Sequence, residues 1–244
     1  MRAVLIDLDD TLFDHTASSR VALRTLYQAD PVLAARPFAD LLADHAAILE
    51  EVHLEVLRGA LGLESARIER FRRLFARHAC PTDPAAAAAG YRTAYQHARQ
   101  AVPGAMALLE QLCGRAAVAI VSNNLQAEQE EKLRHLGMAQ LIDALVVSET
   151  VGVAKPDPAI FAAALRQLGC AAADAVMLGD SWAADVLGAR AAGLRAVWLN
   201  RHGRPCPDPS VAHELVSLEP TADVLALLLG TSASGHAYGR DRHD

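Results

Sequence analysis

The stretch that most restricts the fold is Ala3-Val4-Leu5-Ile6-Asp7-Leu8-Asp9-Asp10-Thr11-Leu12-Phe13-Asp14. It begins as a short apolar run and ends in a cluster of acids. The run reads as a strand buried on both faces, the kind found in parallel sheets. A buried strand that suddenly presents Asp7, Asp9 and Asp10 has reached its carboxyl end, and open α/β sheets bind ligands outside that end. Asp7 and Asp9 are two residues apart, so in extended backbone their side chains point the same way. Carboxylates crowded there repel one another and lose solvation, which calls for a metal, a cationic side chain or a proton nearby. The plainer alternative is an acidic turn that closes a strand.

Beyond Asp14 the character changes. From Thr16 to about Gln100 there is no convincing strand. Thr16-Ala17-Ser18-Ser19 offers N-cap residues before Val21–Leu26. Phe38 to Leu61 reads as one long helix, with Leu41, Leu42, His45, Ile48, Leu49, Val52 and Val56 at helical spacing. Ile68, Phe71, Leu74 and Phe75 form another stripe, and Asp83-Pro84 has the chemistry of a helix start. Val102-Pro103-Gly104 marks the return to alternating elements. Strands are predicted over Ala117–Ser122, Ala144–Ser148, Ala175–Asp180 and Arg195–Asn200. Between them lie helices over Gln126–Leu136, Pro158–Leu168 and Ala184–Ala192, the last closed by Gly193. This alternation predicts an α/β fold, a Rossmann-like, doubly wound parallel sheet carrying an inserted all-helical domain. The expected division is 1–15 and 101–230 for the core and 16–100 for the helical insertion. A helix over 221–229 is expected to pack at the end of the core. Residues 231–244 read as a disordered tail in which His236 and His243 are incidental.

Charge and composition exclude some partners. The net charge is −6 with no basic block, which argues against a nucleic acid polymer. No apolar run approaches membrane-spanning length and no separate signal peptide precedes the first strand, so a cytoplasmic protein with no membrane partner is expected. The four cysteines are widely spaced and read as unpaired thiols. A monomer or homodimer is expected. Only Lys132 and Lys155 are lysines among 23 basic residues, so a retained lysine points to a place where arginine does not serve. Lys132 lies in Glu128-Gln129-Glu130-Glu131-Lys132 and reads as an ordinary solvated helix face with i,i+4 partners.

Three later strands, or the loops after them, also end in polar groups: Ser122-Asn123-Asn124, Lys155-Pro156-Asp157-Pro158, and Gly179-Asp180-Ser181-Trp182-Ala183-Ala184-Asp185. In a parallel sheet all carboxyl ends share one edge, so these groups can converge with Asp7 and Asp9. Taken in order, Asp7-Leu8-Asp9-Asp10-Thr11, Ser122, Lys155 and Gly179-Asp180…Asp185 resemble the signature of the haloacid dehalogenase superfamily, and the resemblance spans Met1 to about Leu229. The insertion resembles the family's C1 cap. Val151–Pro158 and Trp198–Gly203 look most like its nucleotidase-type phosphatases.

The resemblance implies a phosphomonoester hydrolase acting on a small-molecule substrate, a nucleoside monophosphate or sugar phosphate. Asp7 would be the nucleophile that gives an aspartyl-phosphate. Asp9 would be the general acid and then base, its pKa raised by the charges of Asp7 and Asp180. Mg²⁺ would sit among Asp7, the Asp9 carbonyl and Asp180, with Asp185 as a ligand or behind one. Ser122 and the Asn123 amide would bind phosphoryl oxygens, with Thr11 among the substrate-binding residues. Lys155 would offset the negative charge, hold Asp7 and contact substrate, a task a compact ammonium suits better than a planar guanidinium. Asp10 and Asn124 stand where glycine is common in the family, and both read as turn residues. Arg20, Arg24, His53, Arg72 and Tyr91 are candidates to face the site from the cap. A β-phosphoglucomutase-type phosphomutase keeps the same residues. A 2-haloacid dehalogenase is opposed by Asp9, and a phosphoacceptor signalling module by the order of the motifs and the helical insertion.

Overall fold

The computed structural model describes residues 2–230. Six parallel strands form one sheet: β1 (Ala3–Ile6), β2 (Ala117–Ser122), β3 (Ala144–Val147), β4 (Ala175–Gly179), β5 (Arg195–Leu199) and β6 (His213–Leu215), in the order β3-β2-β1-β4-β5-β6. β1 lies in the interior, with Ile6 beside Ile120 of β2 on one side and Leu178 of β4 on the other. Its four residues are all buried. Val4 and Ile6 enter one apolar cluster and Ala3 and Leu5 the cluster on the opposite face. A strand covered on both sides needs the unbroken apolar run seen in the sequence. Each large side chain buried this way contributes about 1.5–3 kcal/mol. The chain leaves β1 toward β2 and β3, then crosses to β4 on the far side. The strand order therefore reverses at the β1/β4 boundary, where a crevice opens at the carboxyl edge.

Between β1 and β2 lie α1 (His15–Ala29), α2 (Pro31–Ala34), α3 (Phe38–Leu57), α4 (Leu63–His78) and α5 (Pro84–His97). They pack around a third cluster that includes Leu23, Phe38, Leu41, Ile48, Phe71 and Leu74, separate from the two that cover the sheet. Flanking the sheet are α6 (Ala105–Leu112), α7 (Gln126–His135), α8 (Ser148–Val151), α9 (Pro158–Leu168), α10 (Gly188–Ala191) and α11 (Thr221–Leu229). Asp83 and Asp157 cap α5 and α9 as their sequences suggest, each accepting from an amide two residues on, with proline in the first turn.

Four local features differ from the sequence reading. First, α1 begins before Thr16, because the Asp14 carboxylate accepts from Ala17 N and serves as N-cap, while Ser18 turns its hydroxyl onto the Asp14 and Ala98 carbonyls. Second, α3 stops at Leu57 rather than Leu61, and Gly59 takes φ +70 just after it. Third, β6 is short and largely exposed, with no apolar alternation to announce it. Fourth, the helix expected from Ala184 is preceded by a π-helical turn, Trp182–Leu187, capped by Ser181. That turn swings Asp185 back until its Oδ2 accepts from Ser181 N at 2.9 Å. A Cβ on Gly179 would overlap the Asp185 carboxylate, so only glycine fits there. The expected tail, 231–244, with His236 and His243, lies outside the described residues.

Candidate active site

Asp7 is the first residue beyond β1. Its amide still donates to Leu178 O (2.9 Å), which fixes its side chain at the crevice. Ser122 ends β2, Lys155 lies between α8 and α9, and Asp180 follows β4. The parallel sheet brings all four to one edge. Lys155 Nζ donates to Asp7 Oδ1, Asp185 Oδ1 and the Val121 carbonyl, each at 2.7 Å. An ammonium has three protons in a tetrahedral array, and all three are used; a planar guanidinium has no equivalent arrangement in that space. Burial opposes the Lys155 charge, but Asp185 and Asp7 outweigh it and hold its pKa above the ordinary lysine value.

The three acids beside it are short of positive charge. Burial pushes the Asp7 carboxyl up, and Asp185 and Asp180 push the same way against Lys155. Asp180 is pushed up to about 6 by burial and by the charges of Asp185 and Asp10, against the Arg204 guanidinium 3.1 Å away. One oxygen each from Asp7, Asp180 and Asp185 lie within 4.8 Å of one another. An all-carboxylate set with surplus negative charge fits a hard divalent cation such as Mg²⁺. Both oxygens of Asp185 accept, Oδ1 from Lys155 and Oδ2 from Ser181 N, and both of Asp7 accept, from Lys155 and Thr11. The Asp180 carboxylate, engaged among the described residues only at Oδ2 by Arg204, therefore holds the least committed oxygen.

Asp9 has a different setting from the one its sequence suggests. Lys132, read as solvated, is buried: α7 is rotated so that Lys132 Nζ reaches Asp9 Oδ1 at 2.5 Å and lies over the Phe13 ring. Gln129 Nε2 and Asn124 Nδ2 donate to Asp9 Oδ2 at 2.8 and 3.2 Å. Burial works against the Asp9 charge, but Lys132, then His15 and Gln129, more than offset it. The carboxyl is held well below the usual range rather than raised by Asp7 and Asp180. Gln129 Nε2 also donates to Ser122 Oγ (2.6 Å), linking Asp9 to the end of β2.

One further expectation changes. Thr11 is wholly buried and donates to Asp7 Oδ2 at 3.1 Å, so it orients Asp7 rather than facing substrate. The Asn123 side chain clamps the Lys155 backbone in both directions, Nδ2 to Lys155 O at 2.8 Å and Lys155 N to Oδ1 at 2.6 Å. Asp10 takes φ +63 and accepts from Thr16 N and Oγ1, a turn residue as expected.

A cavity of about 490 Å³ lies between the sheet edge and the helical insertion, and Asp7, Asp9, Ser122, Asn123, Lys155, Asp180 and Asp185 all line it. From the insertion, His53 and Tyr91 line it as expected, and the His53 ring nitrogen is 2.9 Å from the Asn123 carbonyl. Arg20, Arg24 and Arg72 do not: Arg20 is exposed, Arg24 stacks on Phe38 and Arg72 pairs with Glu69. The arginines that do line it, Arg67, Arg70, Arg92 and Arg99, carried no distinguishing signal in the sequence, because each sits in an ordinary polar helical segment. Arg67 pairs with Glu128 (2.7 Å) and Arg99 with Glu131 (2.9 Å), tying the insertion to α7.

Known proteins resemble this chain in sequence and in fold. The profile of the haloacid dehalogenase-like hydrolase family matches residues 1–193. The pyrimidine 5′-nucleotidase YjjG of Escherichia coli is 43% identical over 108 residues, 44% of this chain and 48% of that protein. A phosphoserine phosphatase of Thermus thermophilus is 33% identical over 88% of this chain and 94% of its own length. The crystal structure of the HAD-hydrolase YfnB from Bacillus subtilis, bound to magnesium and described as showing interdomain movement, superposes with a TM-score of 0.71 at 27% identity, covering 92% of this chain and 98% of that one.

Proposed function

The chain belongs to the haloacid dehalogenase-like hydrolase family, and on that premise we propose that it is a Mg²⁺-dependent phosphomonoester hydrolase working through an aspartyl-phosphate at Asp7. Its substrate is a small phosphorylated metabolite, a nucleoside monophosphate or a sugar phosphate. The observation that carries this reading is that two carboxylates, Asp7 and Asp9, open onto one cavity while each is held by its own buried lysine. Phosphatases and nucleotidases among the relatives support phosphoester hydrolysis.

An Asp7 oxygen attacks phosphorus in line, and the bond from phosphorus to the leaving alcohol oxygen breaks. Asp9 supplies that oxygen's proton; the resulting Asp9 carboxylate then takes a proton from water, whose oxygen attacks phosphorus and releases Asp7 and inorganic phosphate. Asp9 is a carboxylate in the resting site; an arriving dianionic phosphoryl group raises its proton affinity by like-charge repulsion, so that it takes up a proton from solvent water before the bond to the leaving oxygen breaks. Ser122 binds a phosphoryl oxygen and Lys155 balances its charge. When bound, Mg²⁺ would be held by Asp7, the Asp9 carbonyl, Asp180 and Asp185, and would keep Asp7 ionised and neutralise phosphoryl oxygens. The helical insertion acts as a cap, closing by polar ties such as Arg67–Glu128 and His53 on the Asn123 carbonyl and opening to release product.

Among the described residues no helix is long and apolar enough to cross a membrane, and Cys80, Cys113 and Cys206 are free thiols. Both features accord with a protein of the reducing cytoplasm, where we place it. Hydrolysis of p-nitrophenyl phosphate with Mg²⁺, silenced by a chelator and lost in Asp7→Asn, tests the reading. Full activity of the Asp7→Asn protein overturns the mechanism. Turnover of a haloacid without metal moves the assignment to a dehalogenase.

A further inference from the structure

The cavity's positive charges are matched by carboxylates, with one exception. Lys155 is paired with Asp7 and Asp185, and Lys132 with Asp9. On the side of the insertion, Arg67 is paired with Glu128, Arg92 with Glu64 and Arg99 with Glu131. The Arg70 side chain, on α4, makes no hydrogen bond or ion pair within the described residues, although its Nε is buried. Its guanidinium is held instead by aromatic rings, 4.4 Å from the Tyr91 centroid and 4.9 Å from that of Phe71. Stacking fixes the plane of the group while leaving its edge, with the N–H donors, for another partner. Val52, Ala66 and Ala88 contribute apolar lining to the same cavity.

A guanidinium facing a cavity with its Nε buried and no counter-charge beside it is costly to maintain. Its charge lowers the proton affinity of His15 and His45, for which burial is the larger cause. The planar fork matches the two oxygens of a carboxylate or phosphate. A neutral acceptor, such as a nucleobase carbonyl, would satisfy a donor but leave the charge unbalanced. We propose that Arg70 receives a second anionic group, a carboxylate or a further phosphate, carried on the alcohol portion of a phosphomonoester whose phosphoryl group lies at Asp7. The inference rests on the phosphomonoester reading above and narrows it toward acidic sugar phosphates and sugar bisphosphates.

The experiment compares kcat/KM within matched pairs: phosphoglycerate against glycerol phosphate for a carboxylate, and fructose bisphosphate against fructose monophosphate for a second phosphate. Uridine monophosphate stands for the nucleobase case. The wild type prefers the anionic member of at least one pair, and the pair identifies which anion. Arg70→Met, which keeps an apolar chain against Tyr91, lowers that preference about 10- to 100-fold. Arg70→Lys restores part of it. A merely structural role for Arg70 would lower both members of a pair equally and leave their ratio unchanged, which overturns the inference. Preference for the member without the second anion in both pairs, or for uridine monophosphate over phosphoglycerate and fructose bisphosphate alike, overturns it too. A second measurement separates the two readings: calorimetric binding of phosphoglycerate and of fructose bisphosphate to Asp7→Asn protein with Mg²⁺, repeated with Arg70→Met added. Binding that needs Arg70, without turnover by the wild type, sinks the hydrolase reading and keeps the Arg70 site. Turnover with preferences indifferent to Arg70 does the reverse, and binding of neither anion through Arg70 removes the site.

Discussion

Lys155→Met removes a single charge and leaves two behind. In the folded protein the Lys155 side chain is 3% exposed, Asp7 9% and Asp185 1%. Methionine fills a similar volume but neutralises neither acid. Breaking a buried ion pair by deleting one partner costs about 3–5 kcal/mol, because the survivor is stranded in a poor solvent. In a chain of this size each kcal/mol shifts Tm by about 2–4 °C, so a fall of about 6–20 °C near neutral pH is expected. The loss depends on pH with a definite sign. Without Lys155 the buried Asp7 carboxyl, already raised by burial, rises further above the unfolded value of about 3.9. A raised acid binds more protons folded than unfolded, so the variant loses stability as pH rises through that window. The gap between wild type and Lys155→Met is therefore narrow near pH 4 and wide near pH 7, roughly tracking ionisation of Asp7. Wild-type Lys155, with its pKa raised above about 10.4, contributes fully below that value and is lost only in strong alkali. The assay is thermal unfolding followed by circular dichroism across that range, with Lys155→Met/Asp185→Asn beside the single variant. Removing one stranded charge recovers part of the lost Tm. A gap of less than about 1 kcal/mol that is flat with pH would refute the view that Lys155 carries the charge balance of the site.

Lys132→Met acts on Asp9, whose depressed pKa stabilises the fold above the ordinary carboxyl value of about 3.9 and ceases to do so as pH falls through its folded value. Melting curves should show the variant about 1–3 kcal/mol less stable near neutrality and converging on wild type in strong acid. Mg²⁺ at about 100 times its Kd should add about 2.7 kcal/mol to stability. The gain should be lost in Asp180→Asn and on chelation, both read as Tm by calorimetry.

The core of the site was legible because the chain repeats one arrangement. Asp7, Ser122 and Asp180 each stand where a buried run turns polar, and a parallel sheet aligns such points on one edge. Lys155 was legible as a lysine kept in an arginine-rich chain. Lys132 was equally a retained lysine, yet its neighbours Glu128 and Glu131 made a solvated helix face the simpler reading. Its true environment depends on how α7 is rotated against the sheet, and a helix of low amphipathicity does not encode that locally. Gln129 was hidden for the same reason. The early start of α1 turned on Asp14 competing successfully with the Thr16–Ser19 cluster as cap, a choice among similar residues. The cavity arginines were invisible because the third dimension alone separates Arg70, stacked on Tyr91, from Arg72, paired in solvent with Glu69.

α7 gives two adjacent stripes to two different neighbours. Gln129 and Lys132, three residues apart, hold Asp9; Glu128 and Glu131, likewise three apart, receive Arg67 and Arg99 from the insertion. The insertion is thus not an interchangeable lid on a self-sufficient core. A foreign helical insertion grafted between Asp14 and Val102 would arrive without those arginines and leave two acids unmatched on the helix that sets the charge state of Asp9. Specificity can drift within the insertion, residue by residue, but wholesale replacement would have to rebuild α7 at the same time.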